Sequence, residues 1–349
     1  MVGLRPLEAS ILVRIQVWQR EIHLTLVYFY LFFNSLNFIP KNDILTLLNM
    51  NKIIDGKKIA LSIEKNLMRK IKNMKKKPKL AVVLVGKHSP SEIYVRRKEE
   101  ACKRVGIDFA LYRLPARISK NNLVKKIQQI QTDKSLSGLI VQLPLPEPLY
   151  TSAILNAIKP ELDVDCLTEI NIGKLIMNTY KITPPTPGAV LEILKYLKIK
   201  PKGKKVTIIG TGALVGKPLA VILANLGTIV TACNKKTTNI KAKCLSADII
   251  VTAVGKKLNL LTADMVKKNT VVIDTGIIFK NKKMFGDVDF ANVAKKASHI
   301  TPVPGGVGPI TVSLLLNNTV LCSTFRTTVR NPFRKVKNKI LANADINSK

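Results

Sequence analysis

The chain has few of the residues that build metal centres or disulfide-stabilised scaffolds. Its five cysteines lie far apart, no two of them form a C-x-x-C pair, and only three histidines accompany them. A zinc site needs closely spaced cysteine and histidine ligands, and a disulfide framework is typical of short secreted chains. The sequence therefore predicts no metal site and favours a reducing compartment, which we expect to be the cytoplasm.

Acidic residues are also scarce. The chain has 22 Asp and Glu against 57 Lys and Arg, which gives a formal net charge of +35. Nucleic-acid recognition needs a basic face or a motif rather than a high isoelectric point. Here the lysines are scattered through every segment, which is typical of a compositional bias, and no specific nucleic-acid partner is expected. Small polyanionic ligands would still be attracted by this charge.

Residues 1–49 differ from the rest of the chain, since they hold seven of its 18 aromatic residues and a net charge of about +1. Their apolar stretch, residues 24–33, is ten residues long, whereas a membrane-spanning helix needs roughly 20. A translated upstream region with the start at Met50, a targeting peptide and an interfacial anchor all remain open. We favour the first, so residues 1–49 are expected to lie outside the native fold and no membrane partner is expected.

From residue 52 onward the pattern alternates between helices and strands. Helices are expected at residues 59–75, 91–105 and 120–132, and strands at 79–85, 109–114 and 138–142. The runs KLAVVLV and GLIVQ are continuously apolar, as buried parallel strands are. This alternation predicts a parallel sheet with helices on both faces.

A second system of the same kind follows the proline-rich segment 183–187, which is predicted to be a hinge because proline neither continues a helix nor pairs in a central strand. Helices are expected at residues 189–197, 216–226 and 311–322, and strands at 205–210, 229–233, 248–253 and 270–275. The chain is long enough for two packed cores. The fold class is therefore α/β with two domains.

A glycine-rich turn lies between a predicted strand and helix of the second system. Gly210, Gly212 and Gly216 have the spacing G-x-G-x-x-x-G. Backbone N–H groups at such a turn receive a pyrophosphate, although the glycines would equally serve packing alone. After the next strand, Lys235 and Lys236 replace the acidic residue that grips a ribose hydroxyl, so they favour NADP over NAD, with two surface lysines as the alternative.

Polar residues in the first system are placed to face a crevice. Tyr94 and Lys98 share one face of a helix at spacing i and i+4, and Gln142 ends a buried strand. A lysine that is partly desolvated has a lowered pKa and can transfer protons near neutrality; the alternative is a solvated helix face. Asp163 and Asp165 would bind an amino-pyrimidine edge or cap a helix.

Several segments together resemble one known family. They are IIDGK (53–57), LAVVLVG (80–86), SEIYVRRKEEAC (91–102), GLIVQLPLP (138–146), DVD (163–165), VGKP (215–218), GDVDF (286–290) and ITPVPGGVGPIT (300–311). This pattern is similar to the methylene-tetrahydrofolate dehydrogenase/cyclohydrolase family over about residues 50–322. Cys166, in the position of a glycine that usually follows the second aspartate in that family, is one departure.

The resemblance implies an enzyme that oxidises methylene-tetrahydrofolate with NADP and hydrolyses the methenyl product to formyl-tetrahydrofolate. It implies Lys98 as the proton-transferring residue, Gln142 as the residue that tunes it, Tyr94 as a stacking residue and Asp165 as a pterin ligand. Loop residues of the folate site and further cofactor-binding residues are also implied. The loop residues are Pro304, Gly305 and Gly306, and the cofactor set is Gly210, Thr211, Gly212, Lys235, Lys236 and Ile277.

The resemblance also implies the domain division and a homodimer. Residues 50–187 would form an N-terminal α/β catalytic domain, residues 188–310 a Rossmann-like NAD(P)-binding domain, and residues 311–325 a helix that returns to the first domain. The folate site would lie in the cleft between the domains, and residues 326–349 would form a basic tail. Two alternatives remain: only one activity is retained, or the chain is a basic nucleic-acid-binding protein on a degenerated scaffold.

Overall fold

The computed structural model describes residues 52–281 and 283–329. The interpretations of residues 1–49, and of the tail beyond residue 329, lie outside these described residues. Two parallel sheets organise the described chain, and we call the parts built around them the first and the second lobe.

The first lobe contains a three-stranded parallel sheet of order β2-β1-β3. Its elements are α1 (Gly56–Lys72), β1 (Lys79–Val85), α2 (Ser89–Val105), β2 (Asp108–Leu114), α3 (Lys120–Ile130), β3 (Gly138–Val141), α4 (Ser152–Asn156) and α5 (Glu169–Ile176). Alternate residues of β1 enter separate apolar cores, since Val82 packs on one face of the sheet and Val83 on the other. Both faces are therefore covered, as the continuously apolar strands predict.

The second lobe contains a five-stranded parallel sheet of order β10-β7-β6-β4-β5 and a separate antiparallel hairpin. Its elements are α6 (Pro185–Tyr196), β4 (Lys205–Ile209), α7 (Gly216–Asn225), β5 (Ile229–Cys233), α8 (Ile240–Ser246), β6 (Ile249–Thr252), β7 (Val271–Asp274), β8 (Ile278–Lys280), β9 (Lys283–Phe285), α9 (Phe290–Val293) and β10 (His299–Ile300). The strand order reverses between β4 and β6. In doubly wound sheets the ligand crevice lies at such a reversal.

The two ends of the described chain each cross to the other lobe. At the start, Ile54 N–H donates to Ile300 O over 2.8 Å, so this segment extends the second sheet beyond β10 before α1 enters the first lobe. At the end, helix α10 (Val307–Val329) leaves the second sheet and packs against α1 and α6. By length and composition a stretch of α10 is apolar enough to cross a membrane, but 56% of that stretch is buried inside the protein, as in a core helix.

Two proline-containing segments differ from the expectation. Residues 183–187 were predicted to be a hinge, but Pro185 begins α6 and Pro187 lies in its first turn. The last helix was predicted to begin at residue 311, but α10 begins at Val307 and includes Pro309. The reason is the same in both places, because the first turn of a helix leaves its N–H groups without helical partners and tolerates proline there.

Candidate active site

A cavity of about 770 Å³ lies between the two lobes. From the first lobe it is lined by Tyr94, Lys98, Gln142 and Asp165, and from the second by residues 275–277 and 302–309. The four polar residues come from α2, from the end of β3 and from the segment before α5. Residues distant in sequence therefore meet in one place.

The Lys98 side chain is enclosed in this cavity. Its Nζ donates a hydrogen bond to Gln142 Oε1 over 2.8 Å. Burial lowers the pKa of Lys98 from its ordinary value, while the charges of Asp165 and Cys102 oppose that shift. An amine in this environment exchanges protons closer to neutral pH than a solvated lysine does.

Gln142 is held in a fixed orientation by its neighbours. Its Nε2 donates to the carbonyl oxygen of Leu143 over 2.7 Å, so Oε1 is the atom that faces Lys98. Its backbone N–H donates to Val83 O of the adjacent strand β1. The strand thus supplies an acceptor for the lysine amine at a defined position.

The two aspartates of the DVD segment have different surroundings. Asp163 is buried and accepts hydrogen bonds from the N–H groups of Leu167 and Thr168, so it stabilises the turn that leads into α5. Asp165 lines the cavity, and burial raises the pKa of its carboxyl. Cys166, which follows it, has φ of 58°. This left-handed conformation favours glycine, which explains why a glycine is the usual residue there in the family that the sequence resembles.

Tyr94 forms part of the cavity wall on the same helix as Lys98. Its hydroxyl is buried and has no hydrogen-bond partner among the described residues. The ring contacts Phe279 of β8 edge-to-face, with centroids 6.5 Å apart, and the Arg97 guanidinium lies 5.9 Å from its centre. The ring is therefore fixed between the lobes, and its hydroxyl keeps its hydrogen-bonding capacity unused among the described residues.

The glycine-rich turn lies at the reversal of the second sheet. Gly210 has φ of 111°, and a Cβ there would lie 2.4 Å from the carbonyl oxygen of Ala253, which follows β6. A Cβ at Gly216 would lie 1.8 Å from the oxygen of Gly210, so both glycines are required by close packing. At Gly212 the space is open. The turn therefore combines tight packing with an accessible backbone, which fits a bound pyrophosphate.

The remaining predicted residues divide into two groups. Ile277, Pro304, Gly305 and Gly306 line the cavity. The residues Gly210, Thr211, Gly212, Lys235 and Lys236 lie outside its lining. Both lysines are exposed, in a turn where the N–H of Lys236 donates to Asn234 Oδ1.

Several cavity residues were missed by the sequence analysis. Met284 comes from the unpredicted hairpin β8–β9. Glu64 and Arg104 line the cavity and form an ion pair of 3.0 Å. Asp274 lies at the carboxyl end of β7, and burial raises its pKa to about 6. Its position at the end of a buried strand is a signal that the sequence carries, because ligand crevices open at such ends.

A parallel α/β sheet whose glycine-rich turn lies at the strand-order reversal defines a nucleotide-binding enzyme class. Comparison with known proteins specifies it further. Residues 54–165 match the family model for the tetrahydrofolate dehydrogenase/cyclohydrolase catalytic domain. Residues 184–327 match the NAD(P)-binding domain of the same family. The chain belongs to the tetrahydrofolate dehydrogenase/cyclohydrolase family, as the resemblance indicated, and the predicted two-domain α/β fold class is confirmed.

This chain covers almost the entire length of the relatives that it matches. The bifunctional protein FolD of Campylobacter concisus is 44% identical over 276 residues, which are 78% of this chain and 97% of the relative. The crystal structure of the bifunctional FolD of Campylobacter jejuni is 40% identical with a TM-score of 0.76, and the match covers 78% of this chain and 99% of that one. The Trypanosoma brucei enzyme, solved with NADP cofactor and an inhibitor, is 34% identical with a TM-score of 0.75, covering 80% and 98%.

Proposed function

We propose that this chain oxidises methylene-tetrahydrofolate to methenyl-tetrahydrofolate with NADP and hydrolyses the product to formyl-tetrahydrofolate. The observation that carries the proposal is the buried amine of Lys98, hydrogen-bonded to Gln142 in a cavity to which both lobes contribute. Membership of a family with both domains, and relatives named as bifunctional enzymes, support the presence of both activities.

The hydrolytic step needs a group that accepts and returns a proton. Water adds to the methenyl carbon, and a C–O bond forms as an O–H bond breaks toward the neutral amine of Lys98. The C–N bond of the adduct then breaks, and the departing nitrogen takes a proton back. A lysine of lowered pKa can hold the proton between these events, whereas an arginine, which stays charged, could not.

The other cavity residues would bind and orient the folate. The carboxyl of Asp165 is suited to the amino-pyrimidine edge of the pterin, and the ring of Tyr94 offers a stacking face and an unpartnered hydroxyl. Residues Pro304, Gly305 and Gly306 line the opposite wall, where the absence of bulky side chains lets a flat ligand approach the backbone. The folate would therefore lie in the cleft between the lobes.

NADP would supply the acceptor for the hydride that leaves the methylene carbon. The open space at Gly212 and the backbone of Thr211 fit the pyrophosphate, whereas the N–H of Gly210 donates to Cys233 O over 2.8 Å and fixes the start of the turn. The exposed amines of Lys235 and Lys236 follow the next strand, where they would bind a 2′-phosphate. Ile277 lines the cavity and would contact the nicotinamide end. The NADP in the Trypanosoma brucei relative supports this choice over NAD.

The assembly and the domain division are part of this proposal. A division near residues 187/188 is supported by α6, which begins at Pro185 and whose residues from Ala189 onward pack with the core of the second sheet. A homodimer is supported by the edge position of β5, where Ile229 is 55% exposed. Light scattering of the purified chain would test the dimer. A cytoplasmic location is supported by the five free cysteines, because free thiols favour a reducing compartment.

The test is an assay of both steps with methylene-tetrahydrofolate and either NADP or NAD. Reduced nucleotide and methenyl-tetrahydrofolate absorbances are followed together, and methenyl-tetrahydrofolate is supplied directly in a second assay. We expect nucleotide reduction with little lasting methenyl accumulation. Lasting accumulation would show that only the dehydrogenase is retained. Absence of both activities, with RNA binding that persists at physiological salt, would overturn the proposal, because purely electrostatic binding falls steeply with salt.

A further inference from the structure

Two buried carboxylates lie at the carboxyl end of the second sheet and have no role in the chemistry described above. Asp274 is 3% exposed and ends β7, whereas Asp287 is fully buried and follows the hairpin β8–β9. Between them in sequence lie residues 275–277, which line the cavity across from Lys98. We call the pair the carboxylate clasp.

Asp274 connects four segments of the second lobe. Its Oδ1 accepts hydrogen bonds from Thr252 Oγ1 at 2.8 Å and from the N–H of Gly276 at 2.9 Å. Its Oδ2 accepts from the N–H of Val288 at 3.0 Å, and its own N–H donates to Thr301 Oγ1 at 2.7 Å. The side chain therefore fixes the turn at residues 275–277 relative to the end of β6 and to Val288, and the backbone N–H ties the same strand end to the residue after β10.

Asp287 holds the neighbouring loop. It accepts from the N–H groups of Val254 and Gly255, each at 2.8 Å, so it positions the residues that follow β6. Neither carboxylate forms an ion pair with a lysine or arginine of the described chain. Neutral donors alone satisfy both acids, and burial raises the pKa of both carboxyls.

The two aspartates are packed in a reciprocal way. A Cβ at Gly276, two residues after Asp274, would lie 2.3 Å from the carboxyl of Asp287. A Cβ at Gly286, the residue before Asp287, would lie 1.9 Å from Oδ2 of Asp274. The carboxylate of Asp287 thus fills the space beside Gly276, and the carboxylate of Asp274 fills the space beside Gly286. Two strand ends interlock at this point, and no side chain fits at either glycine.

We propose that Asp274 and Asp287 are positioning residues for hydride transfer, which hold the turn at residues 275–277 at the place where the nicotinamide must face the folate. The inference rests on the proposed function. The turn belongs to the second lobe, whereas Lys98 and Gln142 belong to the first. The clasp therefore acts on the oxidation step and leaves the hydrolytic residues in place.

The first experiment compares Asp274→Asn and Asp287→Asn with the unmodified chain in separate assays. Oxidation is measured with methylene-tetrahydrofolate and NADP, and hydrolysis with methenyl-tetrahydrofolate and no nucleotide. Asp287 accepts from two N–H groups with its two oxygens, whereas asparagine has one acceptor oxygen and an NH2 group that would face one of those N–H donors. We expect kcat of oxidation to fall at least tenfold and hydrolysis to stay within twofold. Equal losses in both assays, or no loss in either, would overturn the proposal.

A matched control is Asp264→Asn, the same substitution at an exposed residue of the second lobe that does not line the cavity. Both of its activities should equal those of the unmodified chain. If the unmodified chain itself fails to oxidise the substrate, the proposed function fails. If it is active and the clasp variants lose both activities together, only the clasp inference fails.

A second pair of variants decides the matter if the asparagine variants do not fold. Thr252→Val keeps the shape of the buried side chain but removes the hydroxyl that donates to Asp274, whereas Thr252→Ser keeps the hydroxyl. We expect kcat of oxidation to fall several-fold for the valine variant and to be restored toward the original value for the serine variant. Equal kcat values for the two variants would overturn the inference.

Discussion

Gly56 lies so close to Gly306 that a Cβ added at Gly56 would stand 1.7 Å from the Gly306 carbonyl oxygen. The N–H of Gly56 also donates to the carbonyl of Gly305 over 3.0 Å. The start of α1 and the cavity loop are therefore in backbone contact. This contact gives a physical reason for the glycine in the IIDGK segment.

Gly56→Ala should displace the loop at residues 304–306 and reduce kcat/KM of both steps. Overpacking of this kind costs about 1–3 kcal/mol of stability, and a displacement near 1 Å at a reacting centre costs on the order of 100-fold in rate. The measurements are both assays and a urea unfolding curve. The control is Gly173→Ala, because a Cβ at Gly173 would meet no atom within 4 Å. Unchanged activity in the Gly56 variant would show that the loop position is not critical.

Lys98→Met should abolish hydrolysis while the protein stays folded, because methionine fills a similar volume and removes a buried charge. Hydrolysis of methenyl-tetrahydrofolate and thermal unfolding are measured on the same preparation. Lys103→Met, on an exposed position of the same helix, is the control and should keep full activity. Hydrolysis retained in the Lys98 variant would remove this lysine from the mechanism.

The pH dependence of hydrolysis should report the lowered pKa of Lys98. The neutral amine is the reactive form, so the rate should rise with pH and level off below 10.5, the ordinary pKa of a lysine. Gln142 accepts a hydrogen bond from the ammonium form and favours it. Gln142→Met should therefore shift the rising limb to lower pH. A lower rate with an unshifted limb would contradict the tuning role.

Lys235→Ala combined with Lys236→Ala should raise KM for NADP and leave KM for NAD unchanged. A hydrogen bond to a charged group contributes about 1.5–3 kcal/mol, so roughly a tenfold or greater increase is expected. Both KM values are measured by steady-state kinetics at one ionic strength. The control is Lys202→Ala, an exposed lysine before the amino end of β4. Equal effects on both nucleotides would assign the lysines to another role.

Arg104→Met should destabilise the protein more than Glu64→Gln does. Glu64 is 6% exposed and accepts from Arg104 Nε and Nη2, whereas the Arg104 side chain is 53% exposed and can turn to water. Removing the arginine leaves a buried carboxylate whose remaining side-chain partner, among the residues that the structure describes, is Ser313, at a cost of about 2 kcal/mol.

The matched control for this pair is Arg113→Met, which breaks an exposed arginine–glutamate pair with Glu92. Exposed pairs of this kind contribute at most about 1 kcal/mol. The free energy of unfolding in urea compares the three variants. If Glu64→Gln were the more destabilising change, the argument from burial would be wrong.

The sequence predicted the architecture well because buried parallel strands carry a strong signal. Strands β1 and β5 occupy their predicted residues, and β2, β3 and β4 differ from the prediction by one residue at one end. Strands β6 and β7 are one residue shorter than predicted at each end, and the two-residue strand β10 was not predicted. The hairpin β8–β9 was missed because its lysine-rich sequence has no apolar alternation. The reciprocal packing of Asp274 and Asp287 could not be predicted either, since it depends on how that hairpin folds back. For the site, helical spacing brought Tyr94 and Lys98 together, but nothing local indicated that Gly56 touches Gly306.

The exchange of chain ends between the lobes has a consequence for how the protein can be divided. A fragment of residues 188–310 would lack Ile54, which pairs beyond β10, and a fragment that stops at residue 187 would lack α10. Neither fragment therefore contains every segment that packs into its own core. Splitting the coding sequence at that boundary should therefore give two fragments, neither of which folds without the other.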